Sequence, residues 1–403
     1  MSSKLENPRE CVRCLYQDSH PLGLIIDSDG VCSGCRVHEE KNFLDWGERA
    51  SALQKLVDGY KSQTRNNYDC IIPVTGGQDS FFIVHIAIHK LGLNPLLVNF
   101  NRNFNSAIGI RNLSLLRTAF SADYRQFTIN PNVARKVVRS TLANLGTVNW
   151  LSIAGQTSFP VRVAAELKIP LIIWGAHQGL EQVGMYSHLD EVEMTSRYRR
   201  EHDLMGVDEE SVFDFDPNFS REDISSLEYP DDVTLVSHGI RGIYLGNYLR
   251  WDPVSQHEFV KKQYGYLGRK SSRTYYEFDN PDCPVYNEFQ DYLKQLRKGY
   301  GKVTDQLTRD IRHGRISKSR AKKVQKKFQN RLPRDVQNFA SWLEIPVGNL
   351  DTLLLTLSRN FPESILNQGW KGQTDAMLES SRGRKLESRR LIDDDYMNIG
   401  KGI

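Results

Sequence analysis

No stretch of this sequence approaches the ~18 consecutive apolar residues of a membrane-spanning helix. Its first residues, MSSKLENPRECVRC, hold no apolar segment of the kind that a secretory signal needs. A cytoplasmic protein without membrane insertion is therefore expected. Cysteine is scarce: 6 in 403 residues are too few for a disulfide scaffold. Charge is nearly balanced, and a net +4 over this length argues for no particular partner. There is no internal repeat and no low-complexity segment. What remains is 39% apolar residues, enough for a sizeable core and, at this length, for more than one domain.

Four of the six cysteines are not scattered. Cys11-Val-Arg-Cys14 and Cys32-Ser-Gly-Cys35 form two C-x2-C pairs with 17 residues between them. Each pair can turn two sulfurs toward one ion, and this spacing matches a tetrahedral four-cysteine zinc site. Leu24-Ile25-Ile26 followed by Asp27-Ser28-Asp29-Gly30 predicts a β-hairpin between the pairs, giving a zinc ribbon over 1–45. No ligand position is left open for a substrate, so the expected role is structural.

The chain is organised around residues 69–90, DCIIPVTGGQDSFFIVHIAIHK. Ile71, Ile72 and Val74 predict a short buried strand, Thr75-Gly76-Gly77-Gln78 breaks it, and Asp79-Ser80 opens a run with helical apolar spacing. A strand, a glycine turn and a helix start aim backbone N–H groups at one point, where the helix dipole also favours an anion. Thr75 and Ser80 add hydroxyls, and Asp79 suits a place beside Mg²⁺. The alternative is a tight turn capped by Asp79, with no ligand.

Strands are expected at 71–74, 95–100, 125–129 and 170–174, with helices between them. That alternation predicts an α/β fold with a doubly wound parallel sheet, assigned to 46–240. Ligands of such sheets lie at the carboxyl ends of the strands. The rule places Thr75–Ser80, Asn99–Arg102 and Gly175–Gln182 on one rim. Glu181 is the carboxylate of the third segment, and a solvated loop role is open for it. His177 and His188 complete no motif. The interval 241–276 concentrates rings and hydrogen-bonding side chains, from Tyr244, Asn247 and Tyr248 to Arg269 and Arg273, suited to a sugar or nucleotide or to an aromatic core. At 299–315, glycines precede Lys302 and a series of arginines that could return to phosphates. Arg312 to Arg334 holds ten Lys/Arg and no acid, yet Ile316, Ala321, Val324 and Phe328 are spaced as on an amphipathic helix with a solvated basic face. Further helices are expected near 335–343 and 348–360, within a mainly helical region assigned to 241–403.

Val74-Thr-Gly-Gly-Gln-Asp-Ser80 resembles the S-G-G-x-D-S signature of the PP-loop ATP pyrophosphatases, which include GMP, NAD and asparagine synthetases. The cysteine pairs, GMYSHLDEVEMTSRYRREHDLMG (184–206) with RGIYLGNYLRWD (241–252), and GYGKVTDQLTRDIRHGR (299–315) narrow it further. Together they resemble the N-acetyl sugar amidotransferases of bacterial lipopolysaccharide O-antigen biosynthesis, over about Cys11 to Asn360. The resemblance implies an ATP-dependent ligase converting an acetamido group of a nucleotide-linked N-acetyl sugar into an acetamidino group. Thr75, Gly76, Gly77, Gln78, Asp79 and Ser80 would then bind the pyrophosphate of ATP, with Asp79 beside Mg²⁺. Asn99 and Phe100 would lie near the adenosine, Gly175 at the strand end, Glu181 beside the intermediate, and Lys302 on the phosphates. Thr75 replaces the usual serine, and Ala176 stands where many members have a glutamate.

The resemblance also implies a separate class I glutaminase as ammonia source. Met1-Ser2 supplies no N-terminal cysteine, and Cys70 and Cys283 lack the setting of a nucleophile elbow. Two rivals stay open at this level: a tRNA-modifying PP-loop enzyme of thiolase or lysidine type, and a non-catalytic partner that activates a glutaminase. Nucleic acid is not the expected ligand, since sulfur transfer needs cysteines near the loop and only Cys70 is close.

Overall fold

The computed structural model describes residues 8–345 except Pro21, 64–67, Pro217, Asn280 and Asn330. The helix expected near 348–360 and the charged tail lie outside the described residues. Five parallel strands form one sheet: β1 (Cys70–Pro73), β2 (Pro95–Asn101), β3 (Tyr124–Thr128), β4 (Leu171–Trp174) and β5 (Arg241–Tyr244), in the order β3-β2-β1-β4-β5. Helices α1 (Ser33–Glu40) and α2 (Trp46–Gln63) precede the sheet. Connections run through α3 (Gln78–His85), α4 (Ala107–Phe120), α5 (Pro131–Leu145) and α6 (Trp150–Leu167).

Alternation along each strand sends side chains to two cores. Ile71, Leu96, Val98, Phe100 and Ile172 pack with α5 and α6 on one face. Cys70, Ile72, Leu97, Leu171, Ile173 and Ile243 pack with α2, α3 and α4 on the other. Both faces are covered, as a doubly wound sheet requires. The expected helix from Val161 begins earlier, at Trp150, and carries Pro160 in its interior. The missing N–H of that proline is tolerated because the helix is held by burial of Trp150, Leu151, Ala154 and Val161.

The fifth strand is an addition to the four expected. It begins at Arg241, so the sheet crosses the 240/241 division assigned from sequence. Beyond it lie α7 (Pro253–Tyr264), α8 (Pro284–Lys298), α9 (Lys302–Arg312), α10 (Lys318–Gln329) and α11 (Val336–Trp342). The apolar side of α10 faces α9, with Ala321 buried beside Val303, Leu307 and Leu15. Its basic side is open: Arg320, Lys322, Lys323, Lys326 and Lys327 are exposed.

The cysteine module shares a core with Leu180, Val183, Met185, Tyr186 and Tyr198, the segment that follows β4. The predicted hairpin is reduced to a single antiparallel bridge, Ile26 to Cys32. Its turn forms, because the Asp27 carboxylate accepts from the N–H groups of Asp29 and Val31 at 3.0 and 2.9 Å. The strands do not extend because Cys32 is already drawn into the sulfur cluster and opens α1.

Candidate functional site

In the strand order, β1 lies between β2 and β4, and the crossovers reverse direction there. A ligand of an open parallel sheet occupies the crevice at such a reversal, outside the carboxyl ends of the strands. The β1 side of this crevice is Thr75–Ser80, and the β4 side is Gly175–Val183.

The loop is built as a cradle. Gly76 has φ +79°, a left-handed conformation, and a Cβ there would stand 3.1 Å from Leu113. The Ser80 hydroxyl accepts from Thr75 N–H at 3.0 Å, and the Thr75 hydroxyl from Gly77 N–H at 3.3 Å. No side chain caps α3 at Gly77. Asp79 sits in the first turn of α3 without capping it. Gln78 is buried and donates to the Pro253 carbonyl at 3.1 Å, tying the loop to α7.

Asp79 is exposed at the surface. Protein nevertheless surrounds it, and that desolvation raises its pKa to about 6, aided by Asp279 and opposed by Arg309 and Lys302. The two cations come from α9. Lys302 has Asp279 at 3.7 Å. The Arg309 side chain is in no hydrogen bond or ion pair among the described residues, while its carbonyl accepts from His313 N–H at 2.9 Å. Arg309 is thus the arginine of the 299–315 run whose charge acts on Asp79.

Beside the loop is a cavity of about 340 Å³ lined by Thr75, Asn99, Phe100, Arg102, Leu113 and Gln156, among others. Asn99 donates to the Val74 carbonyl at 2.6 Å, while its own carbonyl oxygen is buried without a partner. Phe100 borders the cavity but is mostly a core residue, stacked on Phe127 and pressed against Gly155.

Glu181 stands on the opposite side, away from that cavity. Its Oε2 pairs with Lys41 Nζ at 2.6 Å, and the lysine, 1% exposed, also donates to the Trp251 carbonyl. His188 Nε2 lies 4.0 Å from Glu181 Oε1, and His188 Nδ1 lies 3.2 Å from Glu40. Glu40 further accepts from the Ser187 hydroxyl and the His188 N–H. Glu181 is therefore no solvated loop residue, and His188 is no ordinary loop histidine. Gly175 acts through close packing: a Cβ would meet Ile83 and Trp251 at 3.1 Å. Ala176 and Glu181 Oε1 both lie close to Gly246.

The four cysteine sulfurs lie within 4.8 Å of one another, all buried. A tetrahedral zinc held at ~2.3 Å by each thiolate sets sulfurs about 3.8 Å apart, so the cluster could hold this ion. Arg312, from the end of α9, places Nη2 3.7 Å from Cys32 Sγ and donates through Nη1 to the Gln182 carbonyl at 2.8 Å. One helix thus acts on Asp79 through the charges of Lys302 and Arg309, and touches the cysteine cluster and the Glu181 loop with Arg312.

Of the aromatic interval, Tyr248, Trp251 and Tyr266 are core residues. Tyr244 encloses His177 together with Tyr186 and Tyr198. Burial lowers the His177 pKa to about 3.

Residues 271–371 match the family model described as LPS biosynthesis protein WbpG-like, C-terminal domain. The matched stretch contains α8 to α11, and so Lys302, Arg309 and Arg312. The similarity supports a place in lipopolysaccharide biosynthesis. No curated protein matches the chain. Among the described residues, no helix is long and apolar enough to cross a membrane.

Proposed function

We propose that this chain is an ATP-dependent, AMP-forming amidotransferase of the PP-loop type. It would convert an acetamido group on a nucleotide-linked sugar into an acetamidino group in lipopolysaccharide O-antigen biosynthesis. The observation that carries the reading is the uncapped glycine turn at Thr75–Ser80, with Asp79 in the first turn of α3 and the charges of Lys302 and Arg309 acting on it.

An amide oxygen is a poor leaving group, and its carbonyl is a poor electrophile. In the proposed reaction the amide oxygen attacks the α-phosphorus of ATP, an O–P bond forms, and the bond to pyrophosphate breaks. Lys302, Arg309 and the loop N–H groups not already held by the Thr75 and Ser80 hydroxyls would offset the charge that accumulates on the departing pyrophosphate. Asp79 would hold Mg²⁺, which supplies further charge neutralisation when bound. Ammonia then attacks the activated carbon, AMP departs with the former amide oxygen, and nitrogen loses protons. Glu181 Oε1, buried without a hydrogen bond and, like Ala176, close to Gly246, is the acceptor for such a proton. The cavity at Asn99 and Phe100 takes the adenosine. Ammonia comes from a separate class I glutaminase, and the cysteine cluster holds a structural zinc.

A sulfur-transfer chemistry would need a thiol at the cradle. Cys70 is fully buried within β1, and burial raises its pKa. The reading is tested by mass spectrometry of N-acetylated nucleotide sugars incubated with the protein, ATP and ammonium. Replacement of one oxygen by NH is expected. Unaltered sugars together with thiolated or lysinylated tRNA would point to the other chemistry.

A further inference from the structure

Helix α10 is held to the protein by one side. Ala321 is buried with Val303, Leu307 and Leu15, and Ile316, Val324 and Phe328 pack around them. The opposite side carries charge of one sign. Residues 312–334 hold ten Lys/Arg and no acid, whereas the whole chain is net +4, so the remainder is net negative. Glu10 reaches across to this helix and pairs with Lys318 and Lys322, each at 2.7 Å. Arg320, Lys323, Lys326 and Lys327 are exposed, and their side chains are in no ion pair among the described residues. Arg320 to Lys323 and Lys323 to Lys327 are three and four residues apart, the spacing at which like charges repel on a helix. An external anionic surface would relieve that repulsion.

The row continues past the helix end. Arg331 lies over the Phe328 ring at 4.4 Å, and Leu332 beside it is 63% exposed. The Leu332 carbonyl accepts from the Ser272 hydroxyl at 3.2 Å, which fixes the leucine next to α10. Tyr275, also exposed, meets the Phe328 ring edge-on at 6.4 Å. Apolar and aromatic groups thus border the cationic face.

We propose that this face docks the protein on an anionic lipid bilayer, as a peripheral contact. Charge complementarity carries the choice of partner: Lys and Arg clustered on one side of an amphipathic helix are drawn to anionic headgroups. Their alkyl stems, with Leu332 and Tyr275, suit the boundary between headgroups and acyl chains. A nucleic-acid backbone would meet the same cations but would leave Leu332 without an apolar partner. The 12 residues of α10 make a straight face of roughly 18 Å, which fits a plane. The helix lies within the region that matches the lipopolysaccharide-biosynthesis model, and a lipid product is completed at a membrane. The inference stands apart from the reaction proposed above, because α10 holds none of the residues assigned to it.

Co-sedimentation of the full-length protein with vesicles tests this. Phosphatidylcholine vesicles with about 30% phosphatidylglycerol should bind it at least about tenfold more tightly than phosphatidylcholine alone, a difference that ~0.5 M salt removes. Lys323→Glu/Lys327→Glu should abolish the preference, with ATP affinity and melting temperature unchanged. Lys261→Glu/Lys262→Glu, on α7, alters net charge equally and should keep it. Should the charge reversal on α10 lower the melting temperature, Lys323→Gln/Lys327→Gln decides in its place and should lose most of the preference. Equal binding to neutral and anionic vesicles, or an equal loss in the α7 and α10 variants, would overturn the inference. Tighter binding to tRNA or duplex DNA than to the anionic vesicles would overturn it in favour of a nucleic-acid surface.

Discussion

Lys41 and Glu181, 140 residues apart in sequence, form a buried ion pair at 2.6 Å where the cysteine module meets the β4 end of the crevice. Lys41→Met would leave the Glu181 carboxylate buried and unpaired, at a cost of ~3–5 kcal/mol. The double variant Lys41→Met/Glu181→Leu should recover most of this loss. Urea unfolding of the three proteins checks the ordering; a Lys41→Met variant within experimental error of wild type would refute the pairing.

Asp79 supplies a pH test. Only its carboxylate form can hold Mg²⁺, and its pKa is raised to about 6 by desolvation. Mg²⁺-dependent ATP affinity should therefore be full at pH 8, where the carboxylate is ionised, and fall as pH drops through about 6. In Asp79→Asn the same step should be absent. Calorimetry between pH 5 and pH 8 reads both curves.

His177 gives a stability test of opposite origin. Burial among Tyr186, Tyr198 and Tyr244 depresses its pKa to about 3, so the unfolded chain binds its proton first. Stability is full above the unfolded value of ~6.5 and falls as pH drops toward 3, by up to ~1.4 kcal/mol per pH unit from this group. His177→Phe should flatten that slope in urea unfolding series at pH 7 and pH 5.

The cysteine cluster and Arg312 should fail together. Chelation is expected to lower the melting temperature, because metal binding to such a cluster is part of the folding free energy. Arg312→Ala removes both the charge beside Cys32 and the tie to Gln182, and should lower zinc retention and the melting temperature. Zinc stoichiometry after dialysis and a melting curve measure the two effects. An unchanged curve after chelation would count against a structural metal.

What the sequence disclosed follows from local rules. A strand, glycine turn and helix at 71–85 are contiguous, and strand alternation with helices determines the sheet and its rim. The C-x2-C pairs carry their own spacing. Lys41, Glu40 and His188 were opaque because their meaning lies in contacts with partners more than a hundred residues away. The strand at Arg241–Tyr244 was missed because four residues with a glycine show little alternation, and only pairing with β4 defines it. Arg309 could be anticipated as one of several cations in its run; the fold singles it out by giving the others partners.

Pyrophosphate release from ATP is the most direct measure of the central claim. It should require an acetamido sugar and ammonium with the wild-type protein, and it should be abolished in Asp79→Ala while the circular dichroism spectrum and melting temperature stay the same. Sugar-dependent release at the wild-type rate from Asp79→Ala would contradict the assignment of the Thr75–Ser80 loop.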